Sequence, residues 1–331
     1  MQCWGSNDHG QLGDGRLQSR TSPSAVVGLP GPSTAVTGGQ SHSCSVGAGH
    51  VYCWGLNDEG QLGAAEPGQS LRPMEVGGLS SVAAVSAGDS HTCALTLNGE
   101  IYCWGANDRG QLGDGTTVGR PIPTRVLGMP KARRLAAGNR TTCAVSAVGG
   151  AWCWGLNLYG QLGNGSRMHS TVPVAVESLA GKAREISTSG YHTCAVATDD
   201  SVGCWGANDE GQLGDGGKVE KTRPSLVLGG WAGTQGVANG FGHSCAISTT
   251  GVRCWGGNLR GQLGDGTTTS RTTPVAPLGL PPGISIIVAG HEHTCAMTSD
   301  QRVLCWGLNA DGQLGNGATA GSNTPVPVVG L

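Results

Sequence analysis

The sequence predicts an all-β propeller of about seven four-stranded blades, one of them lacking two strands. Three observations lead there. Cys-Trp-Gly occurs seven times, with tryptophans at Trp4, Trp54, Trp104, Trp154, Trp205, Trp255 and Trp306, so the interval is always 50 or 51 residues. Every copy is followed by Asn, from Asn7 to Asn309, and then by Gly-Gln-Leu-Gly, as in Gly110-Gln111-Leu112-Gly113. Between these marks lie short β-prone runs punctuated by Gly, Asn and Asp, and no window keeps apolar residues at helical spacing. A β-helix is the remaining competitor, disfavoured by its shorter coil.

One unit shows the elements in order. Val82 to Ala87 is a short apolar run (strand A), His91 to Leu97 is β-prone (B), Glu100 to Trp104 follows (C), and Pro123 to Leu127 closes the unit (D). B and C are joined by a tight hairpin with Gly99 suited to a left-handed position, and the Gly-rich stretch 105–115 joins C to D. Units are expected at about 1–32, 33–80, 81–130, 131–181, 182–232, 233–282 and 283–331, all in a single domain. The chain begins inside a C strand and ends after a D strand, so strands A and B of one unit are absent. A ring closed on such a blade leaves unpaired edge groups, and a piece of a longer array is therefore expected.

Composition bounds the function. With 331 residues and 37% hydrophobic content the chain can bury a substantial core, and its 60 glycines read as turn residues because they show no collagen period. Charged residues make up 13%, the formal net charge is -2, and no Lys or Arg block is present, so nucleic acid is not an expected partner. No apolar stretch is long enough for a membrane helix, and no membrane insertion is expected.

The pattern Gly88-x-x-His91-Thr92-x-Ala94, then Gly99-x-Ile101-Tyr102-x-Trp104-Gly105-x-Asn107-x-x-Gly110-Gln111-Leu112-Gly113, resembles the regulator of chromosome condensation repeat. The resemblance covers essentially the whole chain and implies a seven-bladed propeller. Members of that family include exchange factors for a Ras-like small GTPase, recognition domains of ubiquitin ligases and a secreted inhibitor of β-lactamases, so the fold alone does not choose a function.

Thirteen cysteines include six recurring pairs: Cys44 with Cys53, Cys93 with Cys103, Cys143 with Cys153, Cys194 with Cys204, Cys245 with Cys254, and Cys295 with Cys305. Four are ten residues apart and two are nine, which keeps the partners opposite each other across hairpin loops of three and two residues. Disulfides are expected; reduced packing cysteines and a metal are the alternatives. Bonded pairs imply a secreted or cell-surface protein, and reduced ones a cytoplasmic one. Cys3 belongs to the unit without a B strand.

No enzyme signature emerges. His42, His91, His192, His243 and His293 precede the strand B cysteines, and such recurrence points to a repeated structural hydrogen bond instead of a catalytic pair. The Trp residues are expected to pack between blades, with Asn107 and its equivalents shaping the C to D loop. Acidic residues of the Gly-Asp-Gly turns, Asp14, Asp114, Asp215 and Asp265, are too few to bind calcium at any one turn. No metal or cofactor is expected.

The expected function is binding of another protein through one rim, by a monomer or by part of a longer chain. In an antiparallel blade the A to B and C to D loops share a side. The two inserted A to B residues vary (Asn139-Arg140, Gly190-Tyr191, Phe241-Gly242 and His291-Glu292 among them), as does the residue two past each Asn, such as Arg109, Tyr159 and Arg260. Arg109, Asn139, Arg140, Tyr159, Tyr191, Phe241, Arg260, His291 and Glu292 are the candidate contacts, since aromatic and Arg side chains anchor interfaces. The alternatives are nucleotide exchange, a secreted inhibitor and carbohydrate binding. Constant unit length leaves no room for a protruding wedge of the exchange-factor kind, and one Phe with four Tyr is little for stacking sugars.

Overall fold

The computed structural model describes residues 1–66, 68–177, 179 and 183–331, and it is all β. The expected unit boundary between 181 and 182 lies outside the described residues. Six four-stranded antiparallel sheets cover 35–75, 82–125, 132–175, 183–226, 236–275 and 284–327, each a meander in sequence order. They are blades two to seven. The first unit is a two-stranded sheet, Gln2–Gly5 against Arg20–Ala25.

In blade three the strands are Val82–Ala87, His91–Thr96, Ile101–Gly105 and Arg120–Arg125. Strand D thus begins three residues earlier than the prolines suggested. It is the outer edge strand and pairs through a bulge, Arg120 with Gly105 and then Thr124 with Cys103. A proline there forfeits no ladder bond, so Pro121 and Pro123 sit inside the strand. Strands A are innermost, where neighbouring copies touch. Ala87 N, for instance, donates to Thr37 Oγ1 of the preceding blade at 3.0 Å.

The core lies between blades. Cys44, Val46, Val51 and Cys53 of blade two pack on Val85, Ala94 and Trp104 of blade three, and the same layering recurs around the ring. Trp104 is fully buried, and its indole N-H donates to the Gln61 carbonyl of the preceding blade at 3.0 Å. The seven tryptophans of the Cys-Trp-Gly copies all make this bond, at 2.8–3.0 Å. The set includes Trp4, which bonds Gln313, so the outer part of the ring closes on the two-stranded unit. Within that unit Gln2–Gly5 pairs on one side only.

The six cysteine pairs are disulfides, formed by residues directly opposed in the B–C ladder with Cα atoms 4.0–4.1 Å apart. Cys3 is free and half-buried. At the Cys44–Cys53 hairpin the two-residue loop is left-handed at both Ala48 (φ 51°) and Gly49 (φ 81°), whereas at Cys245–Cys254 the positive φ falls on Gly251 (φ 108°), just after Thr249-Thr250.

Candidate functional site

The rim is built on a frame that repeats in every blade. Asn107 Oδ1 accepts from Leu112 N at 3.0 Å, while its Nδ2 donates to the carbonyls of Thr116 and Val118, folding the C to D loop around one buried amide. Gln111 Oε1 then accepts the backbone N-H of Arg109, the tip residue, at 2.9 Å. Its equivalents hold Tyr159 and Arg260 the same way. The tips vary in side chain but not in backbone support, which is how a rigid scaffold presents a binding surface.

The recurring histidines belong to this frame. His42 Nε2 lies 2.8 Å from Thr92 Oγ1 in the next blade, and that hydroxyl donates to Gln61 O at 2.9 Å. Because the Thr proton is committed to the carbonyl, His42 must be the donor, which fixes the Nε2-H tautomer. The relay recurs from His91 through Thr142, His192 through Ser244, and His243 through Thr294. Burial lowers His42 to about 4 and the other three to about 3, so all four are neutral near pH 7. For His293 the next unit is the two-stranded one, which carries no strand B. In blades two, three, six and seven the glycine ahead of the insert gives the ring room: a Cβ on Gly88 would meet His91 Cε1 at 2.3 Å, whereas Ser189 holds the position ahead of His192.

Asp14, Asp114 and Asp265 are likewise internal, paired with Arg20, Arg120 and Arg271 at 2.8–3.2 Å. Burial raises the Asp114 carboxyl, but hydrogen bonds from Thr116, Arg120 and Asn107 outweigh it and hold the group below its ordinary range.

On this frame the tip of one C to D loop meets the second insert residue of the next blade's A to B loop. Tyr159 packs on Tyr191 with ring centroids 5.2 Å apart. Arg260 Nε lies 3.7 Å from Glu292 Oε2, and Glu210 closes against Gly242. Arg109 and Arg140 share one carboxylate oxygen, Asp108 Oδ2, at 3.5 and 2.8 Å. The aromatic contact continues along the A to B loops: Tyr191 sits edge-on to Phe241 at 5.4 Å, and Phe241 stacks on His291 at 4.2 Å. Four rings from four consecutive blades form one ladder. Asn139 joins through its backbone, whose N-H donates to Ser189 O.

The RCC1-like domain family profile matches residues 1–331. The chain belongs to that family. Among solved structures, human WBSCR16 superposes with a TM-score of 0.88 at 22% identity, covering 99% of this chain and 93% of that one. Prp20p of Saccharomyces cerevisiae gives 0.87 at 22% identity, over 99% and 85%. At these identities the likeness is one of fold. Among curated proteins, the E3 ubiquitin-protein ligase MYCBP2 of Danio rerio is 51% identical over 43 residues, which is 13% of this chain and 1% of the ligase.

In this RCC1-like chain, sequence reasoning missed Asp108, which ties Arg109 to Arg140, and the exposed apolar side chains Leu158, Met168 and Leu259 on the same loops. Each of these three apolar residues directly follows an Asn of the repeat or closes its loop, so its departure from the other repeats was visible. A shallow cavity of about 530 Å³ lies instead on the opposite rim, lined by Leu79, Leu97, Asn98, Glu100 and Tyr102 among others. It offers no free charge, because Glu100 already pairs with Arg125 and Lys131, and the aromatic ladder is the better-defined feature.

Proposed function

We propose that this propeller is a protein-binding module that engages its partner through the A to B and C to D rim and contributes no chemistry of its own. The observation that carries the reading is the four-ring ladder Tyr159–Tyr191–Phe241–His291, built on loops whose backbone is pinned blade after blade. Rigid, partly exposed aromatics supply contact area at low entropic cost and concentrate binding energy. A structural neighbour of the same fold, yeast RCC1 (Prp20), has been solved bound to another protein, Kap60. The six disulfides support a place in an oxidising compartment, secreted or at a cell surface.

The test compares capture from the native extract by the wild-type chain, by Tyr191→Ala and Phe241→Ala variants, and by Asn98→Ala on the opposite rim. A partner kept by wild type and Asn98→Ala but weakened by ~1–3 kcal/mol in each aromatic variant supports the reading. Equal losses from both rims, or none from this one, would remove it.

A further inference from the structure

The aromatic ladder ends, on one side, at a pair of arginines. Arg109 and Arg140 come from adjacent blades, three and four, at the two repeat positions that Tyr159 and Tyr191 occupy one blade further on. They converge on a single oxygen of Asp108. Arg140 makes a hydrogen bond there at 2.8 Å. Arg109 Nε is buried and makes none. A guanidinium carries five N-H donors and no acceptor, so two of them on one carboxylate leave a large unmet demand for acceptor oxygen.

Neighbouring groups do not meet that demand. Asp89 lies within electrostatic reach of Arg140 and of His291 but forms no ion pair with either. His169 faces Arg109 and Asp108, and burial first, then the Arg109 charge, lowers it, which disfavours a further cation there. At the far end of the ladder the corresponding pair, Arg260 with Glu292, is one cation to one anion. The rim is therefore asymmetric: two arginines on one carboxylate between blades three and four, rings across blades four to seven, and a one-to-one ion pair between blades six and seven.

Resting on the rim reading above, we propose that the occupant is an extended acidic-apolar peptide segment of the partner, whose carboxylate takes the free donors of Arg109 and Arg140 while an apolar or aromatic residue lies on Tyr159 and Tyr191. Insert residues of neighbouring blades stack at 4.2–5.4 Å, and side chains on one face of an extended chain recur every second residue, ~6.6 Å along it, so the two anchors are two residues apart in the segment. Asp108 is then a built-in competitor, holding the arginines in place and yielding part of their donor capacity to the incoming carboxylate.

The test selects a displayed library of random linear peptides on the immobilised chain and measures the winners against three variants. The expected result is enrichment of Asp or Glu two residues from Pro, Leu or an aromatic, with binding that weakens at high salt. Arg109→Met with Arg140→Met should weaken it by ~tenfold or more, Tyr191→Ala should weaken it comparably, and Asp108→Asn should strengthen it by freeing both guanidinium groups. A single cooperative unfolding transition with native near-ultraviolet tryptophan signals shows that each variant keeps the ring. Winners that lose affinity in Tyr191→Ala but ignore the arginines and show no acidic preference overturn this inference and leave the rim reading standing. Winners indifferent to Tyr191 and to the arginines, or no enrichment at all, overturn the acidic-segment inference and count against the rim as well.

Discussion

Tyr159 and Tyr191 belong to different blades, yet their rings meet at 5.2 Å because Gln161 fixes the backbone of the first and the inter-blade relays fix the loop of the second. The contact is a coupling between blades at the rim formed by the A to B and C to D loops. A double-mutant cycle on Tyr159→Ala and Tyr191→Ala should return an interaction energy of ~0.5–1.5 kcal/mol in chemical unfolding. Strict additivity would mean that the rings merely lie near each other.

Gly190 is required by the ladder itself. A Cβ there would fall 2.9 Å from Phe241 Cδ2 and 2.7 Å from its carbonyl oxygen. Gly190→Ala should displace the Phe241 ring, weaken rim binding by an amount close to that of Phe241→Ala, and leave near-ultraviolet tryptophan signals unchanged. Retained binding would show that the Phe241 ring is dispensable.

The relays through His42, His91, His192 and His243 make stability pH-dependent. These groups titrate near 6.5 when unfolded and at about 3 to 4 when folded, so the unfolded chain binds more protons as acid is added. Their contribution is complete above pH 6.5 and is lost as pH falls toward 3 to 4, with a ceiling of ~1.4 kcal/mol per pH unit for each histidine. Denaturant midpoints measured from pH 7.5 to 4.5 should fall monotonically. A flat profile would mean that these rings are hydrated in the folded protein.

Removing a relay hydroxyl should be costly at one joint only. Thr142→Val keeps the shape but leaves the His91 N-H and the Gln111 carbonyl short of a partner, an expected loss of ~1–3 kcal/mol. The carbonyl still accepts from Trp154 at 2.9 Å, so the ring should remain closed, and its urea midpoint reads the cost.

Twelve cysteines in six bonds leave Cys3 as the single thiol. Burial pushes that thiol up to about 11, so it should alkylate slowly at pH 8 in the folded protein and quickly in denaturant. Mass spectrometry of unreduced, denatured protein should find one label; more than one would place a pair in the reduced state.

The sequence by itself determined the blade. The 50- or 51-residue recurrence of Trp, Asn and Gly-Gln-Leu-Gly is one hydrogen-bonded unit written out repeatedly, and residues that contact their own unit or its copy leave a periodic trace. The cysteine separations of nine and ten were readable for the same reason, since hairpin register is local. Strand D was placed too late because proline's cost depends on which edge faces a neighbour, and that is a tertiary fact. The rim followed the same division. Variation among repeats marked Tyr159, Tyr191, Phe241 and His291 as loop-tip residues, but only the closing of the blades placed them in one ladder. Asp108 carried no signal of its own, because its position one residue past Asn107 gains meaning only when the next blade swings Arg140 onto the same oxygen as Arg109. Contacts within a repeat are set by spacing along the chain, whereas contacts between repeats are set by the rotation from one blade to the next.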